Sequence, residues 1–329
     1  MTRIAVLGPG GVGGLVAAAL ACQDADGAVT VVAREGTAEL IARRGLTLKS
    51  AALGDFVARP SAVARLEQPV DVLVVATKAS GLSTALKRIA TAPGLVVPLL
   101  NGLDHLEVLR DRLGAERVVA AVIRVESDRS RPGEIVQTSP AIRVDMASAR
   151  PQLAPALQGL AALLRTAGIE ARIGVSEPEV MWSKLARLCP LALTTSAFDA
   201  TIGEVRSEPE TRAELEGTVA ETIAVANADG AALHAAETLA ELDAAHASLG
   251  SSMRRDIAAG RPTELDAVAG AVLRAGERHG LRCPTVAGLA RCVAARTGEP
   301  APTGEPIPTG EPVPTSYSGG RIGSAGPSA

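Results

Sequence analysis

Short apolar runs mark the first half of the chain, and longer helical periodicities mark the second. "TRIAVL" (residues 2–7), "AVTVVAR" (28–34), "VDVLVVATK" (70–78) and "GLVVPLLNG" (94–102) are rich in β-branched and aliphatic residues. Runs of this kind, alternating with helical patterns such as "LVAAALA" (15–21), predict parallel strands covered on both faces. "ERVVAAVIRVES" (116–127) and "AIRVDMA" (141–147) predict further strands, and "PALQGLAALLRTAG" (155–168) predicts a helix stopped at Gly168.

From about residue 176 the pattern turns helical and stays so, through "EPEVMWSKLARL" (177–188), "TRAELEGTVAETIAVANADG" (211–230), "LAELDAAHASL" (239–249) and "TELDAVAGAVLRAGERHG" (263–280). Strands first and helices afterwards predict an α/β chain: a Rossmann-type, doubly wound parallel sheet in residues 1–174, then an all-helical domain in residues 175–296. Residues 297–329 open with three tandem T-G-E-P-x-P units. Proline at that density sustains neither helix nor ladder, so a disordered Pro/Gly-rich tail is expected there.

Composition narrows the class. A chain of 329 residues, 47% apolar and 21% charged, is globular and long enough for two domains. A net charge of −3 and only four aromatic residues supply neither a basic stripe nor a stacking platform, so nucleic acid is not an expected partner. The four cysteines are far apart and form no C-x-x-C pair, which reads as reduced core residues in a reducing compartment. His234, Glu237 and Glu241 could share a helical face, but His246 turns away from it, and no metal site is expected. The N-terminus imitates an export signal until five glycines and a proline at residues 8–14 interrupt it. No segment approaches the ~20 uninterrupted apolar residues of a membrane span, so a cytoplasmic chain with no membrane partner is expected.

Candidate chemistry starts at the first strand's end. Gly8, Gly10 and Gly13 form G-x-G-x-x-G, with Gly11 and Val12 inside the turn. A tight turn, a close approach to pyrophosphate and strand–helix packing each need a missing side chain, so a dinucleotide is the predicted ligand. Where an Asp or Glu would meet a free ribose 2′-hydroxyl, this chain has Arg34, which suits a 2′-phosphate and so NADP; the adjacent Glu35 keeps NAD open. Lys78 and Asn101 fall just past later strands, at the carboxyl ends where open α/β sheets bind ligands. The basic residues are almost all arginine, with only four lysines. One of those, Lys184, stands in an apolar helical segment, and an ammonium, unlike a guanidinium, can give up a proton.

Together "GPGGVGG", "VVARE", "TKASGLSTAL", "LLNGLDHLEVL", "MWSKL", "SSMRRDIAAGRPTELDAVAG" and "RHGLRCP" resemble the ketopantoate reductase family over residues 1 to about 295. The resemblance implies NADPH-dependent reduction of a 2-keto acid, nominally 2-dehydropantoate to pantoate in pantothenate biosynthesis, in a cleft between the two domains. It implies that Lys184 is the general acid and that Glu264 binds the substrate hydroxyl. Ser252 would hold the substrate carboxylate, Asn101 would touch both nicotinamide and substrate, and Arg34 and Lys78 would contact cofactor phosphate. A homodimer is compatible with it. The chain departs from the family where Leu188 and Ala192 replace an asparagine pair, four and eight residues after the lysine, which puts the substrate's identity in doubt. Pro190 between them is expected to kink the helix. Two alternatives stand beside this reading: a reductase of the same fold acting on a different ketone or aldehyde, and a non-catalytic NADP-binding sensor.

Overall fold

The computed structural model describes residues 2–23 and 27–305. Five strands form an all-parallel sheet in the order Ser61–Val63, Val29–Val32, Ile4–Leu7, Val72–Val75 and Leu95–Pro98. The central strands are continuous apolar runs because both faces are covered: Val6 packs with Leu15 and Val16 on one side, Ala5 and Leu7 with Leu73 and Leu109 on the other. Register matters most for function. Leu7 lies opposite Val32 and Val75, so these three strands end together. The loops that carry Gly8, Arg34, Lys78 and Asn101 therefore leave the sheet on one edge.

Strands beyond this sheet add to the predicted doubly wound arrangement. Two smaller mixed sheets flank it, one ordered Phe56–Ala58, Leu46–Ser50, Glu134–Gln137, Ser127–Arg131 and one ordered Glu170–Ile173, Arg143–Ala147, Ala120–Arg124. The hairpin Leu46–Ala58 had no counterpart in the apolar pattern, because its strands are short and exposed at alternate positions. "ERVVAAVIRVES" divides for a similar reason: Ala120–Arg124 is buried while Ser127–Arg131 is almost wholly exposed, and the two join different sheets.

The helical half is built around Glu177–Ala197. Ser176 starts it, its hydroxyl accepting from the Glu179 amide at 3.2 Å, with Pro178 in the first turn. Trp182 is fully buried and its indole donates to Asp229 at 2.8 Å, which fixes the helix's rotation. Two residues on, about 200° around the axis, Lys184 faces away from that core and toward the sheet half. Pro190 lies inside the helix without ending it. Packing against Pro209–Ala228 and Pro284–Thr297 holds the segment from both flanks where a hydrogen bond is missing.

Val180 and Met181 pack on Ala120, Val122 and Ala147, joining the halves through apolar contact. A buried ion pair joins them again. Arg274 grips Asp104 with two bonds, 2.9 and 3.3 Å, and reaches Asp266 at 2.8 Å. The expected tail boundary also shifts: Thr297 belongs to the last helix, and Glu299 is bonded to the Thr263 amide at 2.7 Å. Residues 306–329, the rest of that tail, lie outside the described residues. Among the described residues no helix is long and apolar enough to cross a membrane, and no group of His, Cys, Asp and Glu is placed to hold a metal.

If Arg274 ties the halves together, Arg274→Ala should lower unfolding stability by about 2 kcal/mol, since a partly buried carboxylate then loses its partner. Urea denaturation measures this, and a change under about 0.5 kcal/mol would contradict the assignment.

Candidate active site

The glycine turn is shaped for an anion. Gly8 adopts φ +92°, and a Cβ on Gly13 would sit 2.2 Å from the Gly8 carbonyl, so neither position tolerates a side chain. Where a Gly10 Cβ would be, the space is open. The first amides of the helix Gly11–Cys22 have no intrahelical acceptor, and they open toward this turn. These features fit a dinucleotide pyrophosphate. Gly11 serves packing instead, since its Cβ would strike the Ser127 carbonyl at 2.5 Å and the Ser127 hydroxyl donates to the Gly11 carbonyl. Val12 is half-buried against the same core.

At the end of the second strand, Arg34 is exposed and its side chain makes no hydrogen bond or ion pair among the described residues. Glu35 is engaged elsewhere, with Arg88 at 3.2 Å. Its own backbone amide and then Arg88 hold its carboxyl below the usual range. The acid that obscured the choice of cofactor in the sequence is thus turned aside, and the free charge at this point is positive. Lys78 does not stand free. Its ammonium donates to Asp256 at 2.9 Å and to the Pro262 carbonyl at 2.8 Å, both in the helical half.

One hydrogen-bonded cluster is assembled from both halves. Lys184 donates to the Asn101 side-chain carbonyl at 2.7 Å, and the Asn101 amide nitrogen donates to Glu264 at 2.8 Å. Loss of water around Lys184 brings its pKa down to about 8; the Glu264 carboxylate opposes the fall and the Arg124 guanidinium adds to it. Asn101, Ser252 and Glu264 line a cleft with Leu188, Ala192 and Val268, and Lys184 sits one hydrogen bond behind its wall. Spacings of four residues put Leu188 and Ala192 on the Lys184 side of the helix. Ser252 is exposed at the start of the short helix Ser252–Ala258, whose cap Ser251 accepts from Arg254 at 3.1 Å.

Sequence reasoning missed several contributors. Gly102, at φ +84°, would place a Cβ 2.1 Å from the Ala267 carbonyl, so backbone-to-backbone approach is what lets Asn101 meet Glu264. The only signal for it was the Asn-Gly pair. Asp256 lines the cleft as well, neutralised by Lys78 and by Arg261 at 2.7 Å. His105, wholly buried near Lys184, has a pKa pushed down to about 3 by burial and then by that positive charge. It stays neutral and adds no second cation.

A parallel sheet with an anion-binding glycine turn, facing a lysine of lowered pKa across a domain seam, defines a nicotinamide-dependent oxidoreductase. Comparison with known proteins makes the assignment specific. The family described as Ketopantoate reductase PanE/ApbA matches residues 4–148, and its C-terminal counterpart matches residues 179–297. The chain belongs to the ketopantoate reductase family. It is 32% identical to the 2-dehydropantoate 2-reductase of Caulobacter vibrioides over 291 residues, 86% of this chain and 95% of that one. It is 30% identical to the enzyme of that name from Mycobacterium tuberculosis, covering 91% and 99%. The 2-dehydropantoate 2-reductase structure from Geobacter metallireducens superposes with a TM-score of 0.80 at 28% identity, covering 89% and 99%. A D-mandelate dehydrogenase with NADH and anilino(oxo)acetate shares the fold at TM-score 0.80 and 20% identity, covering 90% and 98%.

Proposed function

We propose that the chain reduces a 2-keto acid with NADPH, and that Lys184 is the general acid. The observation that carries this is the Glu264–Asn101–Lys184 chain of hydrogen bonds, which brings an ammonium with a pKa of about 8 to the wall of the cleft. A donor near neutrality stays protonated at pH 7 and still yields its proton readily, which suits general acid catalysis.

When bound, NADPH supplies the hydride taken up by the carbonyl carbon. Lys184 hydrogen-bonds the carbonyl oxygen and gives it a proton as negative charge develops there, then recovers one from water. Asn101 holds the ammonium in place throughout, and Glu264 accepts a substrate hydroxyl. Ser252 takes the substrate carboxylate; Asp256 would repel that anion if Lys78 and Arg261 did not pair with it. Arg34 takes the 2′-phosphate, since it is uncommitted while Glu35 is paired with Arg88.

The substrate is nominally 2-dehydropantoate. Leu188 and Ala192 favour a second reading within the same chemistry, a 2-keto acid whose remaining substituent is less hydroxylated, because an apolar wall leaves substrate hydroxyls without partners.

NADPH oxidation against 2-dehydropantoate and a panel of apolar 2-keto acids tests both readings. Turnover of at least one is expected, with kcat falling at least about 100-fold in Lys184→Arg. Reduction needs the ammonium, so the rate should hold below pH 8 and fall as pH rises through it. No turnover of any keto acid, or a Lys184→Arg variant as fast as the parent, would contradict the proposal; NADPH binding without turnover is what a sensor would give. Arg34→Ala should weaken NADPH binding at least about tenfold more than NADH binding, measured by nicotinamide fluorescence. Equal losses would remove the phosphate-reading role.

A further inference from the structure

We propose that Glu299 is a positioning residue of the active site: it fixes the loop that presents Glu264, so the first T-G-E-P-x-P unit belongs to the catalytic architecture. This rests on the reading of Glu264 as a substrate-binding carboxylate.

The placement begins at the end of the last helix. Gly298 is left-handed at φ +71°, turning the chain back, and the Glu299 amide then donates to the Thr297 hydroxyl at 3.2 Å. The Glu299 carboxylate is directed at one residue. One oxygen accepts from the Thr263 amide at 2.7 Å, and the other accepts from the Thr263 hydroxyl. Among the described residues it has no ion pair. A glutamate in an exposed, proline-rich stretch would ordinarily be left to water; here both oxygens serve a threonine that is only 9% exposed.

Thr263 is the residue before Glu264, and its hydroxyl oxygen also accepts from the Leu265 amide at 3.2 Å. The residues on both sides of Glu264 are therefore held by a group that Glu299 fixes. From there the chain of bonds continues through Asn101 at 2.8 Å to Lys184 at 2.7 Å. Besides Asn101 on Glu264 itself, the loop is clamped by Lys78 on the Pro262 carbonyl and by Arg261 on Asp256. If Lys78 turns to a cofactor phosphate, its clamp is released, and Glu299 remains the side chain that holds Thr263, next to Glu264.

Glu299→Gln keeps the side chain's size but removes the charge, leaving one oxygen for the Thr263 amide and an NH2 that the Thr263 hydroxyl can meet only by turning from donor to acceptor. In the full-length protein it should raise the keto-acid KM about tenfold while kcat and NADPH affinity stay within about threefold. Thr263→Val should do the same, and the double variant should be no worse than either, because both remove one link. Deleting residues 306–329 should change none of these values. Hydrogen exchange supplies a reading independent of turnover: Glu299→Gln should speed exchange across residues 261–265 and leave residues 8–14 unchanged. An unaltered keto-acid KM, or unaltered exchange at 261–265, overturns the proposal. So do parallel losses of NADPH affinity and melting temperature, which mark a merely structural staple. A full-length protein that reduces no keto acid counts against the function reading, and the exchange measurement then decides the role of Glu299 on its own.

Discussion

An ammonium drawn partly out of water must be given another partner, and at position 184 that partner is the side chain of Asn101, 2.7 Å away. Asn101 comes from the sheet half and Lys184 from the helical half, so neither domain alone contains the hydrogen-bonded ammonium. Asn101 can turn its oxygen to the ammonium only because its nitrogen is taken up by Glu264. Burial lowers the lysine's pKa and the carboxylate limits the fall, so the group's acidity is a property of the assembled seam.

The rest of the structure serves to hold that seam at one geometry. Parallel register ends the central strands together, which brings the glycine turn and the loops bearing Arg34, Lys78 and Asn101 to one edge. The Gly102 backbone touches Ala267 with no room for a Cβ, and the Arg274–Asp104 pair and the Met181 contacts prevent the halves from sliding. Lys78 and Arg261 pair with Asp256, so these three groups leave one net positive charge beside the cleft. A closed seam and a cofactor phosphate would both call on Lys78, which links cofactor occupancy to the loop that carries Glu264.

Much of this was legible in the sequence where a residue type has few alternative explanations. The glycine turn was readable from its G-x-G-x-x-G spacing, where Gly8 and Gly13 leave no room for a side chain and Gly10 leaves open space, and Lys184 because lysine is rare in a chain that uses arginine elsewhere. Leu188 and Ala192 were readable as a change in the wall because helical spacing puts them beside the lysine. Other features depended on partners distant in the chain. Lys78 looked like a free phosphate ligand until Asp256, 178 residues away, was seen to hold it. The mixed sheet built on Leu46–Ser50 hid in strands of three to five residues with polar alternation. Glu299 hid in a repeat whose prolines suggested a chain with no structure at all, since composition cannot reveal that a single carboxylate meets two donors on a buried threonine.

The acidity that the seam gives Lys184 can be measured directly because the chain has only four lysines. Isotope-labelled lysine in the intact protein gives few resonances to titrate by NMR, and Lys184→Arg identifies the one of interest. The Lys184 resonance should titrate at a pH of about 8. A Lys184 resonance titrating at the ordinary lysine value of about 10.4 would contradict it.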